Sequence, residues 1–257
     1  VTCSANAAQN LEKCVRGAGL SIDDIVLEQV ASSHGVLTDD EKDLGVCLVD
    51  IGGGTTDIAV FVRGAIRHTA VIPIAGDQVT NDIAMALRTP TPAADEIKVR
   101  YACVVPQMVD PEQTISVPGM GDRPARTLAR QTLSAVVEPR YEELFSIVQM
   151  ELERCGYADQ LAAGVVMTGG SSKIEGAIQL AESIFHLPVR IGMPKSLKLG
   201  GTEELLRNPI YATGIGLLFY GMQRTLASGQ NSSTRAIRRE DDGASWTGRV
   251  KGWFASN

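Results

Sequence analysis

Two apolar segments of strand length flank a run of glycines in the first quarter of the chain. The first segment ends in Asp50 and Ile51, the second begins at Asp57 and Ile58, and both are rich in β-branched residues. Short apolar runs of this composition predict buried strands. Because residues 58–62 continue as a strand after the glycines, the pattern predicts a β-hairpin.

Alternating strands and helices are predicted on both sides of this hairpin from apolar spacing and glycine stops. The predicted strands cover residues 24–27, 64–73, 165–167 and 189–192. The predicted helices cover residues 6–19 and 30–37, and Ser171 suits the N-cap of another helix that begins near Ile174. This order of elements indicates an α/β core.

The pattern changes between about residue 78 and residue 140, where loops rich in proline and glycine indicate an insertion into the α/β core. Within it, Thr91 and Pro92 suit the N-cap and first position of a helix. Apolar residues at helical spacing then predict a long helix over residues 124–156, which Pro139 should kink or restart.

The composition narrows the possible functions. The chain has 257 residues, enough for a substantial core, and a formal net charge of -6, which argues against a general nucleic-acid partner. Its five cysteines are scattered without a Cys-x-x-Cys pair, so we expect reduced thiols rather than a metal site. The sequence shows no secretory signal and no run of about 18 apolar residues that would span a membrane.

The turn of the predicted hairpin suits a phosphate chain. Gly52, Gly53 and Gly54 let the backbone bend sharply and leave its N–H groups bare, and Thr55 and Thr56 add hydroxyl donors. The flanking aspartates suit a hydrated divalent cation. No lysine follows as in a Walker loop, and no helix follows as in a Rossmann loop. The alternative, an ordinary glycine-rich turn, does not explain the paired threonines and bracketing aspartates.

Three motifs resemble those of the superfamily that contains actin, Hsp70 and the sugar kinases. Asp-Ile-Gly-Gly-Gly-Thr-Thr-Asp at residues 50–57 resembles its second phosphate motif. Thr-Gly-Gly-Ser-Ser-Lys-Ile at residues 168–174 resembles its adenosine motif. Residues 208–218 resemble the small-residue helix that crosses beneath the cleft.

Within this superfamily, residues 45–69, 71–76 and 138–144 are similar to the FtsA family of bacterial cell-division proteins. The resemblance implies an α/β, actin-like nucleotide-binding fold that is partial in this chain. The superfamily needs a first phosphate loop of the Asp-x-Gly-Ser/Thr type, and none is present in this sequence. We therefore expect the chain to be truncated at its N-terminus.

The resemblance also implies a division of the chain into subdomains. In chain order, the expected parts are a portion of subdomain 1A (1–44), the first part of 2A (45–77), the 2B insertion (78–140), the second part of 2A (141–207), a crossing helix that returns to 1A (208–226), a flexible linker (227–243) and an amphipathic membrane-targeting helix (244–257).

A site for ATP and magnesium follows from the same resemblance. The implied phosphate-binding residues are Gly52, Gly53, Gly54, Thr55, Thr56 and Gly76. The implied nucleoside-binding residues are Asp95, Lys98, Gly169, Gly170, Ser171 and Lys173. Asp50 would reach magnesium through water, and Glu28 lies where relatives place a water-orienting residue, so both are candidate catalytic residues for at most slow ATP hydrolysis. Without the resemblance, Asp95 and Lys98 would be an ordinary surface ion pair.

The C-terminal segment predicts a membrane-binding helix after a linker. Residues 227–243 have almost nothing to bury, which predicts a disordered linker. Beyond it, one predicted helix face is apolar, with cations beside it: Trp246, Val250, Trp253 and Phe254 on the face, and Arg249 and Lys251 off it. Such a helix suits an anionic membrane surface. Docking of this helix onto its own domain or a partner is the alternative.

The resemblance finally implies partners and a location. An FtsA-like protein would polymerise with itself and, together with other divisome proteins, anchor FtsZ to the cytoplasmic face of the inner membrane at the division septum. The C-terminal tail of FtsZ would dock on subdomain 2B, with Arg123, Arg126, Arg130 and Arg140 as candidate contacts. Two alternatives remain open: an ATP-hydrolysing enzyme such as a sugar kinase or chaperone ATPase, and an FtsA-like pilus-assembly adaptor.

Overall fold

The computed structural model describes residues 4–196 and 206–229. Its centre is a five-stranded mixed sheet with the strand order β3-β2-β1-β6-β7. The strands are β1 (Val46–Ile51), β2 (Thr56–Val62), β3 (Ala65–Ile72), β6 (Val165–Thr168) and β7 (Val189–Ile191), and a separate two-stranded sheet contains β4 (Thr114–Val117) and β5 (Arg126–Ala129). The first three strands form an antiparallel meander, whereas β6 is parallel to both β1 and β7. The predicted hairpin is therefore confirmed.

Eight α-helices are described beside the strands. They are α1 (Ala5–Gly17), α2 (Glu28–Val36), α3 (Asp39–Leu44), α4 (Gly76–Leu87), α5 (Thr91–Tyr101), α6 (Arg130–Cys155), α7 (Ala177–Phe185) and α8 (Ala212–Gly229). The chain divides into two units, Val1–Gly221 and Met222–Asn257, and the sheet belongs to the first. In the described ranges, no helix combines the length and the apolar character that crossing a membrane would require.

The sheet has a hydrophobic core on each face because successive side chains of a strand point to opposite sides. In β1, Cys47, Val49 and Ile51 belong to the larger core cluster, whereas Val46 and Leu48 belong to a smaller one. The larger core also contains buried side chains of α4, α5, α6 and α7, and the smaller contains residues of α2 and α8. All residues of β1 and β2 are buried, so the turn between them is held on a rigid base.

The predicted helix over residues 124–156 is wrong in its first part. Residues Arg126–Ala129 form β5, which pairs antiparallel with β4, and α6 begins only at Arg130. Leu128 fits the helical spacing of the sequence, but the ladder with β4 overrides that local signal. The helix then runs through Pro139 without restarting.

Other predicted boundaries also change. Residues 24–27 form no strand, since they have no ladder partner among the described residues. Thr91 is the first residue of α5 and Pro90 is its N-cap. Ser171 does not cap a helix at Ile174, because it lies in a 3₁₀ turn, Gly170–Lys173, and α7 begins after Gly176. The strands predicted at 64–73 and 189–192 are confirmed within a residue.

Helices α2 and α8 cross at a contact that only glycine allows. A Cβ atom on Gly216 would lie 1.8 Å from the carbonyl oxygen of Ala31, and one on Gly35 would lie 2.6 Å from that of Ala212. A Cβ atom on Gly214, two residues earlier on α8, would have no neighbouring atom within 4 Å. The close crossing brings Thr213 to the sheet edge where the β1–β2 turn begins.

Candidate functional site

A cleft of about 770 Å³ lies where the carboxyl ends of β1 and β6 meet the first turn of α4, helix α5 and the turn before α8. Ten of the residues predicted for nucleotide binding or catalysis line it: Glu28, Asp50, Gly52, Gly53, Asp95, Lys98, Gly169, Gly170, Ser171 and Lys173. The structure thus brings the two glycine motifs of the sequence into one site. Gly54, Thr55, Thr56 and Gly76 lie beside the cleft and are not part of its lining.

The turn between β1 and β2 bends without left-handed glycines. None of Gly52, Gly53 and Gly54 has a positive φ, contrary to the conformational role that the sequence suggests for them, and the turn is closed by Gly52 N–H donating to Thr55 O at 3.0 Å. The atoms nearest to a methyl group on Gly53 would be those of the Asp77 carboxylate, the first at 3.4 Å. The absence of side chains therefore serves to keep the cleft open rather than to shape the backbone.

The carbonyl oxygen of Gly52 joins three segments. It accepts hydrogen bonds from Gly76 N–H at 3.2 Å and from Ser171 Oγ at 2.8 Å, and the hydroxyl of buried Tyr141 donates to Ser171 O at 2.8 Å. A Cβ on Gly76 would lie 2.4 Å from Ser171 Oγ. Gly76, predicted to bind phosphate, thus uses its N–H group to fix the phosphate-type turn.

Gly169 needs glycine for its backbone and for space. Its φ is +84°, and a Cβ there would lie 2.4 Å from Ile51 O and 2.5 Å from Asp50 Oδ1. An L-residue would be strained in this region of φ and would also clash. This turn can therefore approach β1 closely enough to face the Gly52 turn across the cleft.

Three carboxylates lie near one another at this site: Asp50 and Glu28, which line the cleft, and Asp57, which does not. Asp50 is 5% exposed and accepts from Ser32 Oγ at 2.6 Å, and Ser32 Oγ lies 2.9 Å from Thr213 Oγ1. Burial raises the pKa of Asp50, and the charge of Asp57 adds to this. Burial also raises the pKa of Asp57. The pKa of Glu28 is raised by burial and, to a smaller extent, by the negative charges of Asp57 and Asp50. Neither Ser32 nor Thr213 is signalled by the sequence.

The donor set fits a hydrated cation better than a directly bound one. The charge of Asp57 raises the pKa of both Asp50 and Glu28, so a nearby positive charge would stabilise this group, and carboxylate oxygens suit Mg²⁺. Within residues 4–196 and 206–229, however, no three His, Cys, Asp or Glu side chains are placed to ligate one metal ion. That Asp50 would reach magnesium through water stays a prediction.

Lys98 is fully used by the protein itself. Its Nζ donates to Thr80 Oγ1 at 2.7 Å and to Gly76 O at 3.1 Å, and pairs with Asp95 Oδ1 at 2.8 Å. An ammonium group has three donors, so this set occupies all of them. The hydrogen bond from Lys98 lowers the pKa of Asp95, whose side chain remains 57% exposed at the cleft. Asp95 is thus the member of this pair that can accept from a ligand.

The four arginines proposed for partner docking do not form one uncommitted basic surface. Arg126 donates to Leu87 O, and Arg140 pairs with Asp82 and Glu143. Arg130 lines the cleft and pairs with Glu175. Arg123 is exposed. The proposed membrane-binding residues from Trp246 to Phe254 and the helix over 244–257 lie outside the described residues, so those expectations stay predictions. Of the linker predicted over 227–243, residues 227–229 form the end of α8, and the rest lies outside the described residues.

Comparisons with known proteins agree on one family. The family model for cell division protein FtsA matches residues 47–216. The chain is 61% identical to cell division protein FtsA of Pseudomonas aeruginosa, with 100% of the chain and 61% of the relative covered. It is 44% identical to the Escherichia coli protein of the same name, with 99% of the chain and 61% of the relative covered. The chain thus spans about 61% of the length of these relatives.

Solved structures of other proteins show the same actin-like fold. MreB5 of Spiroplasma citri bound to ADP matches with a TM-score of 0.72 and 18% identity, over 90% of this chain and 69% of that one. A PilM–PilN type IV pilus biogenesis complex matches with a TM-score of 0.63 and 20% identity, over 84% of this chain and 57% of that one. The predicted fold class is confirmed.

Proposed function

The chain belongs to the family of cell division protein FtsA, and from this we propose that it is an ATP-binding protein that polymerises and anchors the FtsZ ring to the cytoplasmic membrane. One observation carries the nucleotide part of the proposal. The Gly52 turn and the Gly169 turn are far apart in the sequence, yet Ser171 Oγ donates to Gly52 O across 119 residues and both turns line one cleft.

The residues of the cleft suit ATP with magnesium. We expect the bare backbone of Gly52 and Gly53 and the nearby Thr55 hydroxyl to face the phosphates, with Asp95 accepting from the ribose. Bound magnesium would neutralise phosphate charge, and Asp50 and Asp57 would hold its water ligands. Glu28 lies at the same end, where its carboxylate can orient a water molecule, so slow hydrolysis is compatible with the site.

Membrane attachment is proposed from the C-terminal segment. A single short amphipathic helix binds a membrane weakly and reversibly. Many such helices held in one polymer would bind tightly through effective concentration. We therefore propose that assembly of this protein and its attachment at the division septum reinforce each other, with the FtsZ tail, other divisome proteins and the anionic membrane as partners. Equal binding to vesicles by assembled protein and by an assembly-blocked variant would contradict this.

Membership in the FtsA family favours this function over the two alternatives. A PilM–PilN complex shares the fold at 20% identity. In contrast, the whole of this chain aligns at 61% identity with part of a cell division protein. Removal of residues 244–257 separates division from pilus assembly: the division proposal expects the shortened protein to leave the membrane. Unchanged membrane localisation would count against it.

Nucleotide binding is tested by titrating ATP and magnesium into the full-length protein. Gly53→Asp places a carboxylate in the lining of the cleft next to Asp77, so we expect ATP affinity to fall at least about tenfold. Gly17→Asp adds the same charge on α1, where no atom lies within 4 Å, and serves as the matched control. Failure of the unaltered protein to bind ATP would overturn the proposal.

A further inference from the structure

A pair of hydroxyl groups lies between the cleft and the crossing of α2 and α8. Ser32 of α2 donates to Asp50 Oδ2 at 2.6 Å, and Thr213 Oγ1 of α8 lies 2.9 Å from Ser32 Oγ and 3.5 Å from the same carboxylate oxygen. Ser32 is completely buried, and both Asp50 and Thr213 line the cleft. Side-chain hydrogen bonds therefore connect the cleft to both helices of the crossing.

The direction of these hydrogen bonds follows from the protons that are available. An ionised carboxylate only accepts, so the single proton of Ser32 goes to Asp50, and Ser32 Oγ accepts from Thr213 in turn. The members of such a chain strengthen one another. Both hydroxyls approach Oδ2, whereas Oδ1 has no hydrogen-bond donor among the described residues and lies beside Gly169. One oxygen of Asp50 is thus held by the protein, and the other can accept from a ligand or from a water molecule.

The packing of the crossing sets the positions of both hydroxyls. Ser32 directly follows the residue whose carbonyl oxygen would lie 1.8 Å from a Cβ atom on Gly216. Thr213 directly follows the residue whose carbonyl oxygen would lie 2.6 Å from a Cβ atom on Gly35. Each hydroxyl is therefore one residue away from a close backbone contact between the helices. A shift of α8 against α2 would move the two hydroxyls relative to each other and would change how Asp50 is held.

We propose that Ser32 and Thr213 are positioning residues that couple the cation of a bound nucleotide to the α2–α8 crossing. With Oδ2 held by the hydroxyls, Asp50 presents Oδ1 to the water ligands of magnesium, which carboxylate oxygens suit. Coupling between two sites is reciprocal, so the cation in turn stabilises the arrangement of the helices in which the hydroxyl chain is intact. This inference rests on the proposed binding of ATP with magnesium and adds a way in which that site is regulated.

The first test uses the unaltered full-length protein. Hydrogen exchange of the backbone amides in residues 31–36 and 212–218 is measured at saturating ATP, once with magnesium and once with a chelator. We expect exchange at the crossing to be at least about fivefold slower with magnesium, because the helices separate less often when the hydroxyl chain is held. Residues 114–117 and 126–129 of the two-stranded sheet serve as the internal control. Equal exchange at the crossing under both conditions would overturn the inference.

The second test removes one hydroxyl and keeps the shape of the side chain. Thr213→Val replaces the hydroxyl with a methyl group, whereas Thr213→Ser retains it. ATP is titrated calorimetrically into each full-length variant with and without magnesium. We expect the ratio of the two affinities to fall at least about fivefold in Thr213→Val and to keep its original value in Thr213→Ser. Thr127→Val, at an exposed position of β5, is the matched control and should also keep the original ratio.

The outcomes separate this inference from the proposed function. If the unaltered protein does not bind ATP, the proposed function fails, and the inference fails with it. If ATP binds but Thr213→Val keeps the original ratio, only the coupling is overturned. An equal fall of the ratio in Thr213→Val and Thr213→Ser would also overturn it, because the hydroxyl would then not be the group that matters. If Thr213→Val does not fold, the exchange measurement on the unaltered protein decides.

Discussion

A methyl group in place of the glycine hydrogen would not fit at the crossing of α2 and α8, whereas it would fit in the turn between β1 and β2. A Cβ on Gly216 would lie 1.8 Å from a backbone oxygen, but one on Gly53 would be in ordinary contact with a side chain at 3.4 Å. The sequence shows a small-residue motif in both regions. The crossing therefore needs glycine in order to pack, whereas the turn has no steric need for it, and we propose that the turn glycines leave room for a ligand.

The largest effect on the free energy of unfolding is expected at the crossing. Gly216→Ala should destabilise the protein by about 3 kcal/mol or more, because the clash is with the main chain of α2 and only a separation of the helices relieves it. Gly214→Ala on the same helix should stabilise it by up to about 1 kcal/mol, since it gains the same helix propensity without a clash. Urea unfolding of both variants measures the difference. Equal stabilities would show that the crossing is not close in solution.

A smaller effect of opposite sign is expected at the turn. Gly53→Ala should leave stability unchanged or raise it by up to about 1 kcal/mol, because the methyl group fits and the unfolded chain loses freedom. ATP affinity should fall in the same variant, since the methyl group occupies the lining of the cleft. Thermal unfolding with and without ATP measures both quantities. A loss of stability as large as that of Gly216→Ala would remove the distinction between the two regions.

The smallest effect is expected from the buried carboxylate below the turn. Burial raises the pKa of Asp50, so the folded protein binds its proton more tightly than the unfolded chain does. The ionised group therefore lowers stability at neutral pH, and this cost disappears below the unfolded pKa of about 4.

Asp50→Asn should accordingly stabilise the ligand-free protein at pH 7 by roughly 1 kcal/mol or less and have no effect near pH 4. The amide oxygen can still accept the hydrogen bond from Ser32. The same variant should lose the dependence of ATP binding on magnesium. Asp159→Asn, an exposed residue, is the control and should show no such dependence on pH. A stability gain that is the same at both pH values would contradict a role for the charge.

Much of the sheet could be predicted from the sequence, because its signals are local. Continuous apolar runs with β-branched residues marked β1 and β2, and the glycine turn between them fixed their antiparallel pairing. The prediction failed where a distant partner decided the outcome: residues 126–129 have helical spacing but pair with residues 114–117. Local propensity is a weak guide when a ladder across the chain competes with it.

The candidate site shows the same difference between local signals, which the sequence carries, and contacts between distant segments, which it does not. The residue types of the two glycine motifs, with Asp50 and Lys173, were enough to predict a phosphate cleft and its nucleoside side. The sequence did not predict that Ser32 and Thr213 would hold Asp50, that Lys98 would be saturated by Thr80, Gly76 and Asp95, or that Arg130 would line the cleft instead of an exposed docking surface. Apart from the Asp95–Lys98 pair, which lies at helical spacing, each of these contacts joins residues far apart in the chain, and no spacing rule connects them.

The family, the actin-like fold class and the residue types expected at the cleft follow from the sequence, because motifs, apolar runs and turn residues are properties of short segments. The steric role of each glycine and the partners of each charged group follow only from the packing of the folded chain. Gly53 and Gly216 look alike in the sequence, yet a Cβ on Gly53 would be in ordinary contact with a side chain, whereas one on Gly216 would clash with a backbone oxygen. That difference depends on which segments pack together, and packing is decided by the whole fold.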